Sequence, residues 1–177
     1  MSQQSITLAL IASRRLNLIK ELTVSCAKHK CNIQESRMTS LGDDQVICMQ
    51  ISGKWSDIAK LESNINKISN DDSVQLLLKN SEERSYDKGL MPYLVHVTTI
   101  DTTGIAASVI KFFTAQSVEI ENMATHRYIT TQTKTAMQTL SLTVLLPIDI
   151  HLADFREGFI EFCDEYNLDA ILEPDRG

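Results

Sequence analysis

Cys26, His29 and Cys31 lie close together in the sequence, and thiolates with an imidazole form a donor set that suits zinc. Their setting points elsewhere. Cys26 falls on the apolar face of a helical pattern, no fourth donor accompanies the group, and Cys26, Cys31, Cys48 and Cys163 include no C-x-x-C pair. All four read as reduced thiols acting as small core hydrophobes. Acid–base candidates are equally sparse. His29, His96, His126 and His151 are scattered without an evident acid or nucleophile partner, and no Gly-rich phosphate loop, H-E-x-x-H or G-x-S-x-G segment occurs. Neither catalysis nor a bound metal or cofactor is expected.

Composition narrows the class further. The chain has 177 residues, 17 basic and 23 acidic, for a net charge of −6. Neutralising nucleic-acid phosphates takes clustered Lys and Arg, and no such cluster stands out, so direct DNA binding is not expected. The apolar run from Leu140 to Ile150 is cut by Ser141, Thr143, Pro147 and Asp149, well short of the roughly 20 apolar residues of a membrane span. Met1 to Ser5 shows no basic start or apolar stretch of a secretory signal. A soluble cytoplasmic protein is the expectation.

Gly and Pro are scarce, so hydrophobic period carries the element reading. Residues 5–12 predict a strand and 17–29 a helix with Leu18, Leu22 and Cys26 on one face. A strand from Asn32 to Ser40, a Gly42-Asp43-Asp44 turn and a strand from Gln45 to Ser52 form a hairpin. Ser56 or Asp57 is placed to cap a helix bearing Ile58, Leu61, Ile65 and Ile68, with Trp55 sealing the core between strand and helix. Val74, Leu76 and Leu78 then alternate as a strand. Lys79 to Gly89 has no apolar period and reads as linker.

After the linker the pattern repeats. Tyr93, Val95 and Val97 alternate, Ile105, Val109 and Phe112 or Phe113 mark a helix, and Glu119 to Ile129 and Leu140, Leu142 and Val144 mark strands. Leu152, Phe155, Phe159 and Phe162 mark a last helix before Leu168, Ala170 and Leu172. Asn17 corresponds to Gly104 and Ile33 to Ile120 at an offset of 87. Ile58, Leu61, Ile65 and Ile68 correspond to Leu152, Phe155, Phe159 and Phe162 at an offset of 94, and the second copy has a longer hairpin tip between Tyr128 and Thr135. Matches of this kind argue for duplication. The expected fold is α+β, two tandem ferredoxin-like βαββαβ domains, each a four-stranded antiparallel sheet with two helices on one face. The division is 1–80, a polar linker at 81–91, and 92–177. The open sheet faces and edge strands leave room for a homodimer.

The order, the size, and the segments Cys31-Asn32-Ile33-Gln34-Glu35-Ser36-Arg37-Met38, Leu41-Gly42-Asp43-Asp44 and Ile51-Ser52-Gly53-Lys54-Trp55 resemble the tandem ACT-domain proteins of the glycine cleavage system transcriptional repressor family. The first copy also resembles the regulatory segment of formyltetrahydrofolate deformylases, but here the remaining length repeats that segment. The resemblance implies regulation rather than catalysis. It implies a small amino acid, glycine or similar, bound where the first strand of a domain leads into its first helix. It also implies action through a separate DNA-binding transcriptional regulator.

Helix ends explain such a site, because the first N–H groups of a helix are unpaired and can hold a carboxylate while an acid takes the ammonium. The family's loop typically reads Asp-Arg-Pro-Gly. Asp101-Thr102-Thr103-Gly104, before Ile105, keeps the Asp and the Gly, whereas Arg14-Arg15-Leu16-Asn17 keeps neither. Asp101 and Thr102 read as ligand contacts or as plain helix caps. Asn17 is expected to preserve the turn in a left-handed conformation. Asn32, with Ile33, and Asn122 read as part of the same pockets or as turn residues. Arg14 and Arg15 read as a solvated loop or as a partner contact.

Overall fold

The computed structural model describes residues 3–13, 17–68, 73–82 and 89–175. The chain divides into two compact units, Met1–Ser85 and Tyr86–Gly177. In the first, the elements run β1 (Gln3–Ser13), α1 (Leu18–Lys28), β2 (Asn32–Leu41), β3 (Asp44–Lys54), α2 (Trp55–Ile68) and β4 (Val74–Ser81). The second runs β5 (Leu90–Ile100), α3 (Ile105–Ala115), β6 (Glu119–Ile129), β7 (Ala136–Pro147), α4 (Leu152–Tyr166) and β8 (Asp169–Pro174). The two sheets are antiparallel, in the orders β2-β3-β1-β4 and β6-β7-β5-β8. The α+β expectation of two tandem ferredoxin-like units holds.

Alternation decides which side of each sheet the helices cover. Ile6, Leu8, Leu10 and Ala12 of β1 and Ile47, Met49 and Ile51 of β3 are buried with Leu18, Leu22, Cys26, Ile58, Leu61 and Ile65. The second core uses Tyr93, Val95 and Val97, Leu140, Leu142 and Val144, and Ile105, Val109, Phe113, Phe155 and Phe159. A one-residue slip of a central strand would turn these side chains to the open face. Both sheets also carry an irregularity at matching places: the ladder skips Gln34 between Ile33 and Glu35, and Glu121 between Ile120 and Asn122. Gln34 and Glu121 are related by the same offset as Ile33 and Ile120, so the bulge was duplicated with the strand.

The seam between the helices differs in kind. In the first unit Asn64 Nδ2 donates to the buried Ser25 Oγ at 2.7 Å. The corresponding positions of the second unit hold Phe112 and Gly158. There the Phe112 ring packs on Phe162, Phe159 and Phe155 at centroid distances of 4.9, 5.5 and 5.9 Å. All 5 phenylalanines of the chain lie in this second core, so the helix seam is bridged by a polar pair in one unit and by aromatic rings in the other.

Four expectations are corrected. Trp55 is not a core seal: it is the first residue of α2 and 67% exposed. The inward face of α2 is supplied by Ile58, Leu61 and Ile65 instead. Because α2 begins at Trp55, Ser56 and Asp57 lie inside its first turn rather than capping it. Cys48 is exposed while Cys26, Cys31 and Cys163 are buried. Cys48 pairs with Ala9 and Arg37 in the register that faces away from the helices, between the inward Ile47 and Met49. The polar stretch from Lys79 is also not linker at its start. Lys79, Asn80 and Ser81 continue β4 opposite Thr7, Ile6 and Ser5, and at the far side Leu90 and Met91 begin β5. Strand pairing does not need apolar alternation when one neighbour supplies the ladder.

Burial pushes the Cys26 thiol up to about 11, with Cys31 nearby adding to it, and burial beside Asp164 does the same for Cys163. A thiol whose pKa is raised by folding stabilises the fold below its unfolded value and loses that contribution as pH climbs toward the folded value. Chemical-denaturation midpoints are therefore expected to decline as pH rises from about 9 toward about 11, less steeply in a Cys26→Ala/Cys163→Ala protein. Thiol labelling of the native protein at neutral pH should modify Cys48 fast and the three buried cysteines only on unfolding. Phe113→Ala, which empties the centre of the second core, should cost about 3–5 kcal/mol, measured by denaturant titration.

Candidate functional site

β5 ends at Ile100 and α3 begins at Ile105, so four residues, Asp101 to Gly104, turn the chain from sheet to helix. The Asp101 N–H donates to the Ala136 carbonyl at 2.9 Å, which carries the β5–β7 pairing one step past the strand. Thr102 Oγ1 donates back to the Ile100 carbonyl at 3.2 Å. Gly104 then enters the helix with φ +92° and ψ −9°, a left-handed conformation that an L side chain adopts only with strain. Its carbonyl accepts the Ser108 N–H at 3.0 Å.

No side chain caps α3. Asp101 and Thr102 are therefore not the caps their residue types suggest: the threonine hydroxyl is spent on the strand end, and the Asp101 carboxylate takes Arg127 Nε of β6. The pair is asymmetric, with the Asp101 side chain 27% exposed and the Arg127 side chain 65% exposed. The N–H groups of the first helical turn are thus left without a side-chain acceptor, beside a carboxylate and a guanidinium. Such a place offers donors and positive charge to an anion and an acid to a cation. A zwitterion of amino-acid size presents both.

Arg127 was not legible as a site residue. It lies 26 positions from Asp101, on a strand whose alternation gives no sign of which tip it reaches. The signal available was the offset between the copies: Asp101 and Arg127 correspond to Arg14 and Ser40, an acid–base pair in one copy and none in the other.

In the first unit, Arg14 and Arg15 lie outside the described residues. Asn17 is described and departs from expectation. It precedes α1 at φ −109° and ψ 0°, right-handed rather than left-handed, and makes no side-chain cap. Its carbonyl accepts the Glu21 N–H at 2.8 Å, so α1 starts from this position without a positive φ at Asn17 itself.

The second-strand asparagines sit elsewhere on each sheet. Asn32 pairs with Ser52 and Ile33 with Ile51, near the end of β3 that lies beside the start of β1. Asn122 pairs with Thr143, which faces Leu94. Leu94 is six residues before Ile100 along β5, roughly 20 Å at strand rise. Within one unit, then, the structure gathers Asp101, Thr102, Thr103, Gly104, Ile105 and Arg127, and it places Asn122 at the far end of the sheet from them. Asn17 and the pair Asn32 and Ile33 are separated in the same way.

Beyond Ala136 the β6–β7 hairpin continues into the longer tip of the second copy. Thr130 and Thr135 close it, with the Thr130 N–H donating to the Thr135 carbonyl at 2.9 Å and the Thr135 N–H donating to Thr130 Oγ1 at 3.0 Å. A hollow of about 430 Å³ opens along this tip, lined by Tyr128 to Thr133. The first copy closes its hairpin with Gly42 and Asp43 alone, Gly42 having φ +63°. Among the described residues no group of three or more His, Cys, Asp or Glu is arranged to hold a metal ion. No helix among them is long and apolar enough to cross a membrane.

Residues 8–79 match the family model of the ACT domain, which spans most of the first unit. Over 171 residues the chain is 20% identical to the glycine cleavage system transcriptional repressor of Escherichia coli K12, covering 97% of this chain and 90% of that one. The repressor of the same name from Shigella flexneri matches to the same extent. Among solved structures, a protein of unknown function from Galdieria sulphuraria superposes with a TM-score of 0.82 at 18% identity, covering 98% of this chain and 99% of that one. A protein provisionally described as a glycine cleavage system transcriptional repressor superposes with a TM-score of 0.74 at 16% identity over the full length of both chains. The resemblance drawn from the sequence is borne out. The fold is that of two tandem ferredoxin-like units, the first of which matches the ACT domain, and the chain is similar along nearly all its length to proteins named as glycine cleavage system transcriptional repressors.

Backbone strain and charge pairing at the loop make separable contributions. Gly104→Ala meets no atom within 4 Å, so its penalty is conformational and should be about 1–2 kcal/mol. Asp101→Asn, which weakens a largely exposed ion pair, should cost less than about 1 kcal/mol. Urea titration of the two variants checks both values.

Proposed function

We propose that the chain is a non-catalytic cytoplasmic regulator that binds a small amino acid, glycine first among candidates, at the β5–α3 loop and acts through a DNA-binding transcriptional regulator. The observation that carries this reading is the uncapped start of α3 behind the left-handed Gly104, flanked by the Asp101–Arg127 pair. The ligand's carboxylate accepts the N–H groups of Ala106 and Ala107, beyond the Ile105 N–H that the Thr102 carbonyl holds at 3.4 Å, and draws Arg127 toward it. Its ammonium replaces Arg127 against Asp101. Thr102 and Thr103 line the approach. The small side chain of glycine suits a loop in which the backbone itself is the binding surface.

Similarity to proteins named as transcriptional repressors supports the regulatory part of the reading. The net charge of −6 favours a route through a protein rather than through DNA phosphates. The first copy lacks the acid and the glycine of the loop, and Arg14 and Arg15 in their place suit a contact with the protein partner. Asn122 lies at the far end of its sheet from the Asp101–Gly104 loop, and Asn32 and Ile33 lie likewise from the start of α1; these, and Asn17 with its right-handed conformation, are assigned no first role in binding.

Calorimetric titration tests the ligand. Glycine is expected to bind the wild-type protein with one site per chain, Asp101→Ala to weaken binding about tenfold or more, and Gly104→Val to abolish it. Absence of heat with glycine, alanine and serine alike would overturn the sensor reading and leave a structural interaction module. Affinity purification of the tagged chain from its own cell tests the partner. A DNA-binding regulator is the expected prey, and an enzyme in its place would redirect the reading to a sensor that modulates metabolism directly.

A further inference from the structure

The helix layers of the two units carry opposite charge at equivalent positions. In the first unit a groove of about 470 Å³ runs between the end of α1 and the outer side of α2, lined among others by Lys28, His29, Lys60, Asn64 and Lys67. Lys20, Lys28, Lys60 and Lys67 are all exposed, whereas the acids of these two helices, Glu21, Asp57 and Glu62, are half-buried. The surface that meets solvent is therefore basic, in a protein whose net charge is −6.

At the offset of 94 that relates α2 to α4, Lys60, Ser63 and Lys67 become Asp154, Glu157 and Glu161. These three, with Asp164 and Glu165, are exposed, and the cations on α3 and α4 are Lys111 and Arg156. Each layer also exposes a large apolar side chain among its charges. Val24 stands one turn from Lys20 and from Lys28 and is 56% exposed, and Ile160 stands between Glu157 and Asp164 and is 60% exposed. Duplication began with one surface, so the two copies have diverged to opposite sign at Lys60 and Asp154 and at Lys67 and Glu161, each beside an exposed aliphatic side chain of its own.

We infer that the helix layer of the first unit docks on the helix layer of the second unit of another copy of this chain. Charge complementarity argues for this occupant, because the acids that match the basic groove, Asp154, Glu157 and Glu161, stand on the same polypeptide at the α4 positions equivalent to Lys60, Ser63 and Lys67 of α2. Aliphatic anchors inside charged surroundings give such a surface its desolvated centre, and the charges set register.

The sign of the salt effect discriminates. Two copies of net charge −6 repel as whole molecules, so association unrelated to these faces would strengthen as salt screens the repulsion, whereas docking through opposed faces weakens. Sedimentation equilibrium of the full chain should show a dimer or larger assembly whose dissociation constant rises about tenfold or more between 50 mM and 500 mM salt. Lys28→Glu/Lys60→Glu/Lys67→Glu should be monomeric, and so should Asp154→Lys/Glu157→Lys/Glu161→Lys. An equimolar mixture of the two should associate again, because each supplies the charge the other lacks. Circular dichroism monitors folding, and Lys→Gln and Glu→Gln versions serve if a charge-reversed chain does not fold. A wild-type chain that stays monomeric at about 100 μM in low salt, a triple variant that associates like wild type, or a mixture that does not recover association would each overturn the inference.

Discussion

The alternation of the two central strands, β1 and β5, is the constraint on which the rest depends. Each is hydrogen-bonded on both sides, and each turns every second side chain into the space beneath two helices. A side chain shifted by one position would reach water and leave a void below α1 or α3. Because the register is fixed, the residue at which each central strand ends is fixed as well. The turn into the following helix has to be made there, and the amide groups that open that helix have a set place and direction.

That constraint holds the core and leaves the loops free to differ. One copy turns through Asp101 to Gly104 with a positive φ and no cap, and the other closes before α1 through Asn17 in an ordinary right-handed conformation. A glycine at the first helix is thus not a requirement of the fold. It is required where the chain approaches α3 by the left-handed route, and that route leaves the start of α3 without a side-chain cap. The ion pair of Asp101 with Arg127 exists only where this occurs.

Much of this was legible in the residues. The repeat, the hairpins and the inward positions of every helix followed from period alone, since burial imposes period 2 on strands and a period near 3.6 on helices. The failures share a cause, which is that residue type was read without its neighbours. Trp55 was assigned to the core for its size, but it opens α2, whose inward face is Ile58, Leu61 and Ile65. Cys48 was assigned there for its type, although it lies between two inward residues and must point outward. Asp101 and Thr102 resemble caps in sequence, but a cap depends on where the side chain finds its nearest partner, and Arg127 comes from a strand far along the chain. Asn122 looked adjacent to the loop because both lie near strand ends; they are opposite ends.

The seam between the helices bears on how a duplicated gene ages. Tandem copies in one reading frame are open to conversion, in which a stretch of one overwrites the other and restores identity. Here such a transfer would have to carry both helices of a unit at once. α1 placed in the second unit would set a serine opposite Gly158 and remove the ring on which Phe155, Phe159 and Phe162 converge. α3 placed in the first would set a phenylalanine against Asn64 and strip its amide of the Ser25 hydroxyl. The helices of a unit are far apart in sequence and joined in space, so a short transfer would leave a mismatched seam. A seam of this kind works against re-homogenising the two halves and leaves each to keep its own loop.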